Sequence, residues 1–123
     1  GWHPSTDEDW QALEAFLGMS SDQIFATGWR GNQGVGLRGG EWCEFGWDDS
    51  PDLYGFDARP GGHIVWDCYY DRVWEQGWWW SLSENGSLIA RGLEYGNLGI
   101  NRHIYNSTEY LIFSKSIRCV QDN

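Results

Sequence analysis

Apolar side chains recur at helical spacing only near the start of the chain. Trp10, Leu13 and Leu17 fall on one face of a predicted helix, with Phe16 beside them. Gly18 follows these residues and supplies a C-terminal stop. The N-terminal segment is therefore predicted to form an amphipathic helix that packs on the core through this face.

Two overlapping capping signals can open this helix. Ser5 with Glu8, and Thr6 with Asp9, both fit the capping box, in which the two side chains bond each other's backbone N–H. Either choice leaves acidic residues in the first turn, where they complement the helix dipole. A second, shorter helix is predicted over residues 20–26 by a similar signal.

The pattern changes to short strands in the second half of the chain. Residues 28–62 are predicted to be a long loop with many glycines, held by aromatic anchors: Trp29, Trp42, Phe45, Trp47, Tyr54 and Phe56. Runs with strand-like composition predict strands over residues 63–66, 78–82, 88–93, 110–113 and 116–120. Alternation sends Trp78 and Trp80 to one face of their strand and Trp79 to the other.

Asn85-Gly86 predicts a hairpin turn between two of these strands. Helices followed by a meander of strands favour an α+β fold with a small, mostly antiparallel sheet over a parallel α/β fold. The 123 residues suffice for one domain, so the whole chain, 1–123, is predicted to be a single unit.

The charge balance excludes several classes of partner. Eight Lys and Arg against 18 Asp and Glu give a formal net charge of −10. Sequence-independent binding to nucleic acid and attraction to an anionic membrane both need a basic face, so neither is expected. No apolar run approaches the ~18 residues that span a bilayer.

The ten tryptophans are the compositional feature that most favours a binding role, because Trp and Tyr give large, rigid contact areas in binding sites. Some of them must fill the core instead. Two stretches, 66–80 and 94–106, are the candidate contact surfaces, and an ordinary exposed loop is the alternative for the second. The predicted ligand-binding residues are Trp66, Tyr69, Trp74, Trp78, Glu94, Tyr95, Asn97, Asn101, His103, Tyr105 and Asn106.

The signals for metals and thiols are local. Asp48, Asp49 and Asp52 offer clustered oxygens to Ca²⁺, although Asp, Ser and Pro also build solvated turns. No other cofactor is indicated. Three cysteines leave an odd thiol, and Cys43 with Cys68 is a candidate disulfide whose connectivity the sequence leaves open.

Five segments together form a recognisable pattern. "GWHPST" at 1–6, "ATGWRG" at 26–31, "YGFDARPGG" at 54–62, "WWS" at 79–81 and "SIRCV" at 116–120 occur in this order over nearly the whole chain. The pattern resembles the Fibrobacter succinogenes major paralogous domain. This resemblance implies a C-type-lectin-like fold, related to the formylglycine-generating group and to retroelement-diversified variable proteins.

The resemblance also implies a location and a role. Such domains are found on secreted or surface proteins of bacteria, often as one module of a longer chain, and the variable stretch of the diversified relatives maps here to about 91–114. Arg91 and Arg102 fall on shared positions, which implies that they belong to the framework. The catalytic cysteine pattern of the sulfatase-modifying enzymes and the "EPN" or "QPD" triplet of calcium-dependent lectins are both missing.

Three hypotheses about function follow. The first is a non-enzymatic extracellular binding module for a glycan or a partner surface protein, with exposed aromatic side chains as the contacts. The second is a structural subunit or spacer of a bacterial surface assembly. The third is an oxidase of the formylglycine-generating type, which would need a reactive thiol.

Overall fold

The computed structural model describes residues 1–43, 51–65, 69–106 and 113–123. Two helices precede most of the strands, and the sheets are mainly antiparallel, so the α+β class is confirmed. The helices are α1 (Asp7–Phe16) and α2 (Ser21–Phe25), and a 3-10 turn covers Gly34–Leu37. The strands of the described residues are β1 (Trp2–Pro4), β2 (Gly28–Arg30), β3 (His63–Val65), β4 (Tyr69–Asp71), β5 (Gln76–Leu82), β6 (Leu88–Glu94), β7 (Ile100–Tyr105), β8 (Phe113–Ser114), β9 (Ser116–Ile117) and β10 (Cys119–Gln121).

The central sheet has the strand order β2-β7-β6-β5-β9. All its neighbours are antiparallel except β5 and β9, which run parallel. The hairpin of β5 and β6 turns at Asn85-Gly86, as predicted, and Gly86 has the positive φ of 80° that this turn requires. Two smaller sheets flank it, β1 with β10 and β4-β3-β8.

The first helix begins at the second of the two predicted capping pairs. Thr6 is the N-cap: its hydroxyl accepts from the Asp9 N–H at 3.2 Å, and Asp9 accepts from the Thr6 N–H at 2.9 Å. Ser5 is instead buried, and its hydroxyl accepts a 3.1 Å bond from the indole of Trp10. The second helix opens at Ser20, as predicted.

One hydrophobic cluster forms the core of the described residues. Trp10 and Leu17 are buried in it, Leu13 packs against it, and Trp79 joins it from β5. The prediction for Phe16 was wrong, because this side chain is 75% exposed at the end of α1. The buried positions of α1 are filled partly by Asp7 and Glu14 instead.

These two buried acids hold three arginines from the central sheet. Glu14 pairs with Arg30 at 2.6 Å and Arg91 at 2.8 Å, and Asp7 pairs with Arg91 at 2.7 Å and Arg102 at 2.8 Å. Each ion thus has counter-charges and hydrogen bonds, which is what makes buried charges tolerable. Arg91 and Arg102 therefore belong to the framework, as expected.

The long loop at 28–62 is more ordered than predicted, since it contains β2 and the 3-10 turn. Trp42 is a true anchor: it is fully buried, and its indole donates to the carbonyls of Gly39 at 3.2 Å and Ala58 at 3.0 Å. Phe56 packs against the core, but Trp29 and Tyr54 are exposed rather than buried anchors. The other two predicted anchors, Phe45 and Trp47, lie outside the described residues.

Candidate functional site

Strand β5 sorts its three tryptophans as alternation predicts. Trp79 is buried in the core, whereas Trp78 and Trp80 are half-buried on the opposite face of the sheet. Cross-strand neighbours place further rings on that face. We call the group the aromatic face, and its members are Trp29, Trp78, Trp80 and Tyr105.

Small residues on β6 leave space for these rings to pack against this face of the sheet. One row across the strands runs Trp29, Asn101, Gly92, Trp78, and the two indole centroids are 6.3 Å apart. A Cβ on Gly92 would lie only 2.7 Å from the Trp78 ring, so that ring rests directly on the glycine backbone. In the next row Ala90 leaves room for Trp80, which meets Tyr105 at 5.1 Å.

Lys115, between β8 and β9, reaches over this face. Its ammonium lies 4.8 Å from the Trp78 ring, 5.3 Å from Trp80 and 5.1 Å from Tyr105, and Phe113 adds a fourth ring at 5.4 Å. Each contact has cation–π geometry. Burial lowers the pKa of the Lys115 amine to about 8. Within the described part of the chain, no carboxylate forms an ion pair with it.

A cavity of about 220 Å³ opens beside the lysine. It is lined by Gly61, Gly62, His63, Ile64, Tyr70, Ser114, Lys115 and Ser116. Burial, with a further contribution from the charge of Lys115, lowers the pKa of His63. The cavity therefore combines one cation, two hydroxyls and an exposed phenol ring at its rim.

Two of the exposed aromatic residues predicted as contacts, Tyr69 and Trp74, lie close to this cavity along the backbone. Tyr69 is 75% exposed on β4, next to the cavity-lining Tyr70. Trp74 is 45% exposed, and its N–H bonds the carbonyl of Pro60 at 2.9 Å, one residue before the cavity wall. Tyr95 is also exposed, and its N–H bonds the carbonyl of Glu75. Trp66 lies outside the described residues.

Two predicted polar contacts belong to the same side of the sheet. The Trp78 indole donates to Gln76 at 2.8 Å, and the Gln76 amide donates in turn to Glu94 at 2.6 Å. Asn101 places a buried side-chain oxygen in the first row, and this oxygen has no hydrogen-bond partner among the described residues. Asn97 stabilises the turn in which it lies, because its side-chain oxygen accepts a hydrogen bond from the Gly99 N–H at 2.9 Å.

The expectation that residues 94–106 have little regular structure was wrong. Residues 100–105 form β7, which lies between β2 and β6 in the central sheet. His103 and Tyr105 therefore project from a strand, with ring centroids 4.3 Å apart, and Asn106 is exposed just after it. Their positions are fixed by sheet register rather than by a free loop.

Only some of the residues predicted for the metal site and the disulfide are among the described residues. Asp48, Asp49 and Cys68 lie outside the described residues. Asp52 accepts a 2.9 Å bond from the Asp57 N–H, and no group of three metal-ligating side chains occurs among the residues that the structure describes. Cys43 is a free thiol here, so its pairing with Cys68 and the calcium site both stay predictions.

Sequence analysis did not select Lys115, Trp29 or Trp80 for this site. A signal was present in the first case, since Lys115 is the chain's single lysine and lies two residues after Phe113. Its ring partners come from three separate strands, however, and only the pairing of those strands brings them together.

Comparison with known proteins gives one match. The sequence model of the Fibrobacter succinogenes major domain matches residues 1–121. No curated protein and no solved structure matches the chain. Among the described helices, none is both long and apolar enough to cross a membrane.

Proposed function

The chain belongs to the Fibrobacter succinogenes major domain family, and we propose that it is a non-enzymatic module that binds glycans at the cavity beside the aromatic face. One observation carries this proposal. The exposed ring of Tyr70 lies at a cavity whose wall includes Lys115 and two serines, and the exposed Tyr69 and Trp74 lie beside that wall along the backbone. Aromatic faces beside a few convergent polar groups are the usual composition of a small-ligand site.

The mechanism is stacking with polar positioning. A sugar ring has an apolar C–H face that packs on an aromatic ring, and its hydroxyls need fixed donors and acceptors. Tyr70 at the cavity rim offers the ring, with Ser114 and Ser116 as polar partners. The bond from Gln76 to Glu94, at 2.6 Å, supports the adjoining surface. Strands carry these groups, so little side-chain ordering opposes binding.

The proposal includes a C-type-lectin-like fold and a place outside the cell or on its surface, as a module of a longer protein. Two N-terminal helices followed by an antiparallel sheet support the fold assignment. A partner surface protein is the second candidate ligand. It is favoured by a separate exposed pair of rings, Phe16 and Tyr54, whose centroids are 6.0 Å apart.

A glycan-array screen of the folded domain tests the proposal, run once with calcium and once with chelator. We expect specific hits that Tyr70→Ala and Trp74→Ala weaken by about tenfold or more, since truncating an aromatic anchor of a binding site costs about 2 kcal/mol or more. Phe16→Ala is the control, because it removes an exposed ring at the end of α1 that does not line the cavity. Sensitivity to chelator would assign calcium to the site.

Two results contradict the glycan proposal. A blank array together with self-association at rising concentration favours the structural subunit. A blank array with a monomeric protein and a ligand captured through Phe16 favours the protein partner. Retained binding in the Tyr70 and Trp74 variants would place the glycan site elsewhere on the molecule.

A further inference from the structure

Lys115 is the cation whose surroundings need explaining, in a chain with a formal net charge of −10. Five of the seven arginines are held in ion pairs with acids, namely Arg30, Arg59, Arg72, Arg91 and Arg102. Lys115 has aromatic rings as its neighbours and forms no ion pair with a described carboxylate. It also lines a cavity that is open to a ligand.

We propose that this cavity is an anion subsite, in which Lys115 pairs with the carboxylate of an acidic sugar residue. The inference rests on the proposed function and specifies it: the preferred ligands are glycans that contain uronic acids. The ammonium of Lys115 binds the carboxylate, and the remainder of the sugar ring lies against the cavity wall and the ring of Tyr70.

The electrostatics favour an anionic ligand over a neutral one. Four aromatic rings lie 4.8 to 5.4 Å from the ammonium and stabilise it by cation–π contacts, but they carry no net charge that could neutralise it. An ammonium that has lost part of its hydration gains from a counter-ion, and the gain grows where apolar rings exclude water. A carboxylate that enters the cavity supplies that counter-ion.

The shape and the lining of the cavity favour a sugar over an acidic peptide. Its volume of about 220 Å³ lies below the ~300–1,000 Å³ of sites for drug-sized ligands, and so it has room for about one ring. Ser114 and Ser116 present hydroxyls there. Gly61 leaves open space, because a Cβ on it would meet no atom within 4 Å.

Isothermal titration tests the subsite with two matched probes, a galacturonic acid trimer and the neutral galactose trimer. We expect the acidic trimer to bind about tenfold more tightly than the neutral one, a difference of about 1.4 kcal/mol. Lys115→Met should abolish this preference, and Lys115→Arg should keep part of it, since the positive charge remains. Gly61→Val should weaken both probes, because it fills space in the cavity while Lys115 stays in place.

The outcomes separate this inference from the proposed function. Equal affinity for both trimers, unchanged in Lys115→Met, overturns the subsite but leaves glycan binding intact. No binding of either trimer, together with a blank array, overturns both. Hexaglutamate that binds as tightly as the acidic trimer identifies an acidic peptide site and overturns the sugar. Thermal unfolding of each variant shows that a lost preference is not a lost fold.

Discussion

Arg91 Nε donates a 2.8 Å hydrogen bond to Glu14 Oε1, although both side chains are completely buried. The bond joins β6 to α1 across 77 positions of sequence. The same Glu14 oxygen accepts from Arg30 at 2.6 Å. One carboxylate thus fixes the N-terminal helix to two different strands of the sheet whose other face carries the aromatic rings.

Replacing Glu14 should therefore destabilise the fold strongly. In Glu14→Gln, the buried Arg30 loses the carboxylate it pairs with and Arg91 keeps only Asp7, so we expect the free energy of unfolding to fall by about 3–5 kcal/mol. Urea denaturation measures the change. Glu8→Gln is the matched control, since Glu8 is an exposed acid of the same helix, and its loss should remain below about 1 kcal/mol. Similar effects in both variants would show that the buried network contributes no special stability.

Gly92→Ala should disturb the aromatic face itself. The new methyl group would lie 2.7 Å from the Trp78 ring, so the indole must move. Overpacking of this kind costs about 1–3 kcal/mol, and we expect ligand affinity to fall with stability. Gly61→Ala is the control for stability, because a Cβ there meets nothing within 4 Å, but not for affinity, because Gly61 lines the cavity. If Trp78→Leu in the Gly92→Ala background restores none of the lost stability, the clash is not the cause.

His3 should make the pairing of the terminal strands depend on pH. Its ring bonds Asp122 at 2.7 Å and Asp9 at 2.9 Å, and these hydrogen bonds raise the pKa of His3 above its ordinary 6.5. A raised pKa adds stability that is fully present below pH 6.5 and is lost as the pH rises through the folded value. The same carboxylates have lowered pKa values, so the effect also fades in strong acid.

The difference in stability between the wild type and His3→Gln measures this effect between pH 5 and 8. We expect a larger difference at the acidic end of this range. His103→Gln is the control, since His103 lies on the exposed end of β7 and forms no ion pair with a described acid. A difference that stays constant with pH would mean that His3 acts by packing alone.

Lys115 can be observed directly, because it is the chain's only lysine. Labelling lysine with ¹³C gives a single Cε signal, and we expect it to titrate near pH 8, since burial lowers the pKa of Lys115 to about 8. The four surrounding rings should shift its protons upfield by ring currents. Trp80→Leu should reduce that shift. A signal at the position of free lysine that titrates above pH 10 would contradict the geometry.

The lowered pKa also predicts a trend in stability. Between pH 8 and 10.5 the unfolded chain binds a proton at Lys115 that the folded chain releases. Stability therefore rises with pH across this window, relative to Lys115→Met, in which the effect is absent. Paired urea titrations of the two proteins at pH 7.5 and pH 10 measure it.

Elements with an ordinary hydrophobic pattern could be predicted from the sequence. Buried positions that carry a charged residue could not. Strand β7 escaped prediction because Arg102 occupies a buried position on it, where alternation would require an apolar residue. Glu14 likewise occupies a buried position of α1, so the apolar pattern did not indicate that this side of the helix is buried. Both deviations have one cause, since the partners that make the charges tolerable lie 77 to 95 residues away.

The residues of the candidate site divide in the same way, into those that a local pattern predicts and those that depend on distant parts of the chain. Strand alternation alone was enough to separate Trp79 from Trp78 and Trp80. The position of Lys115 over three strands depends on the strand order β7-β6-β5-β9. The order of strands in a sheet cannot be read from a local sequence pattern. Tyr69 and Trp74 were selected as aromatic residues of the Trp-rich stretch 66–80, and both are exposed.

The buried ion network also constrains when the chain can fold during synthesis. Asp7 and Glu14 leave the ribosome 77 to 95 residues before the arginines of the sheet that they pair with, Arg91 and Arg102. Until then the helix lacks the charges that allow its inner face to leave water, and long-range pairings of this kind form slowly. Translation must therefore pass Arg102 before this network can close, and the tryptophans made earlier have no complete core to pack into during that interval.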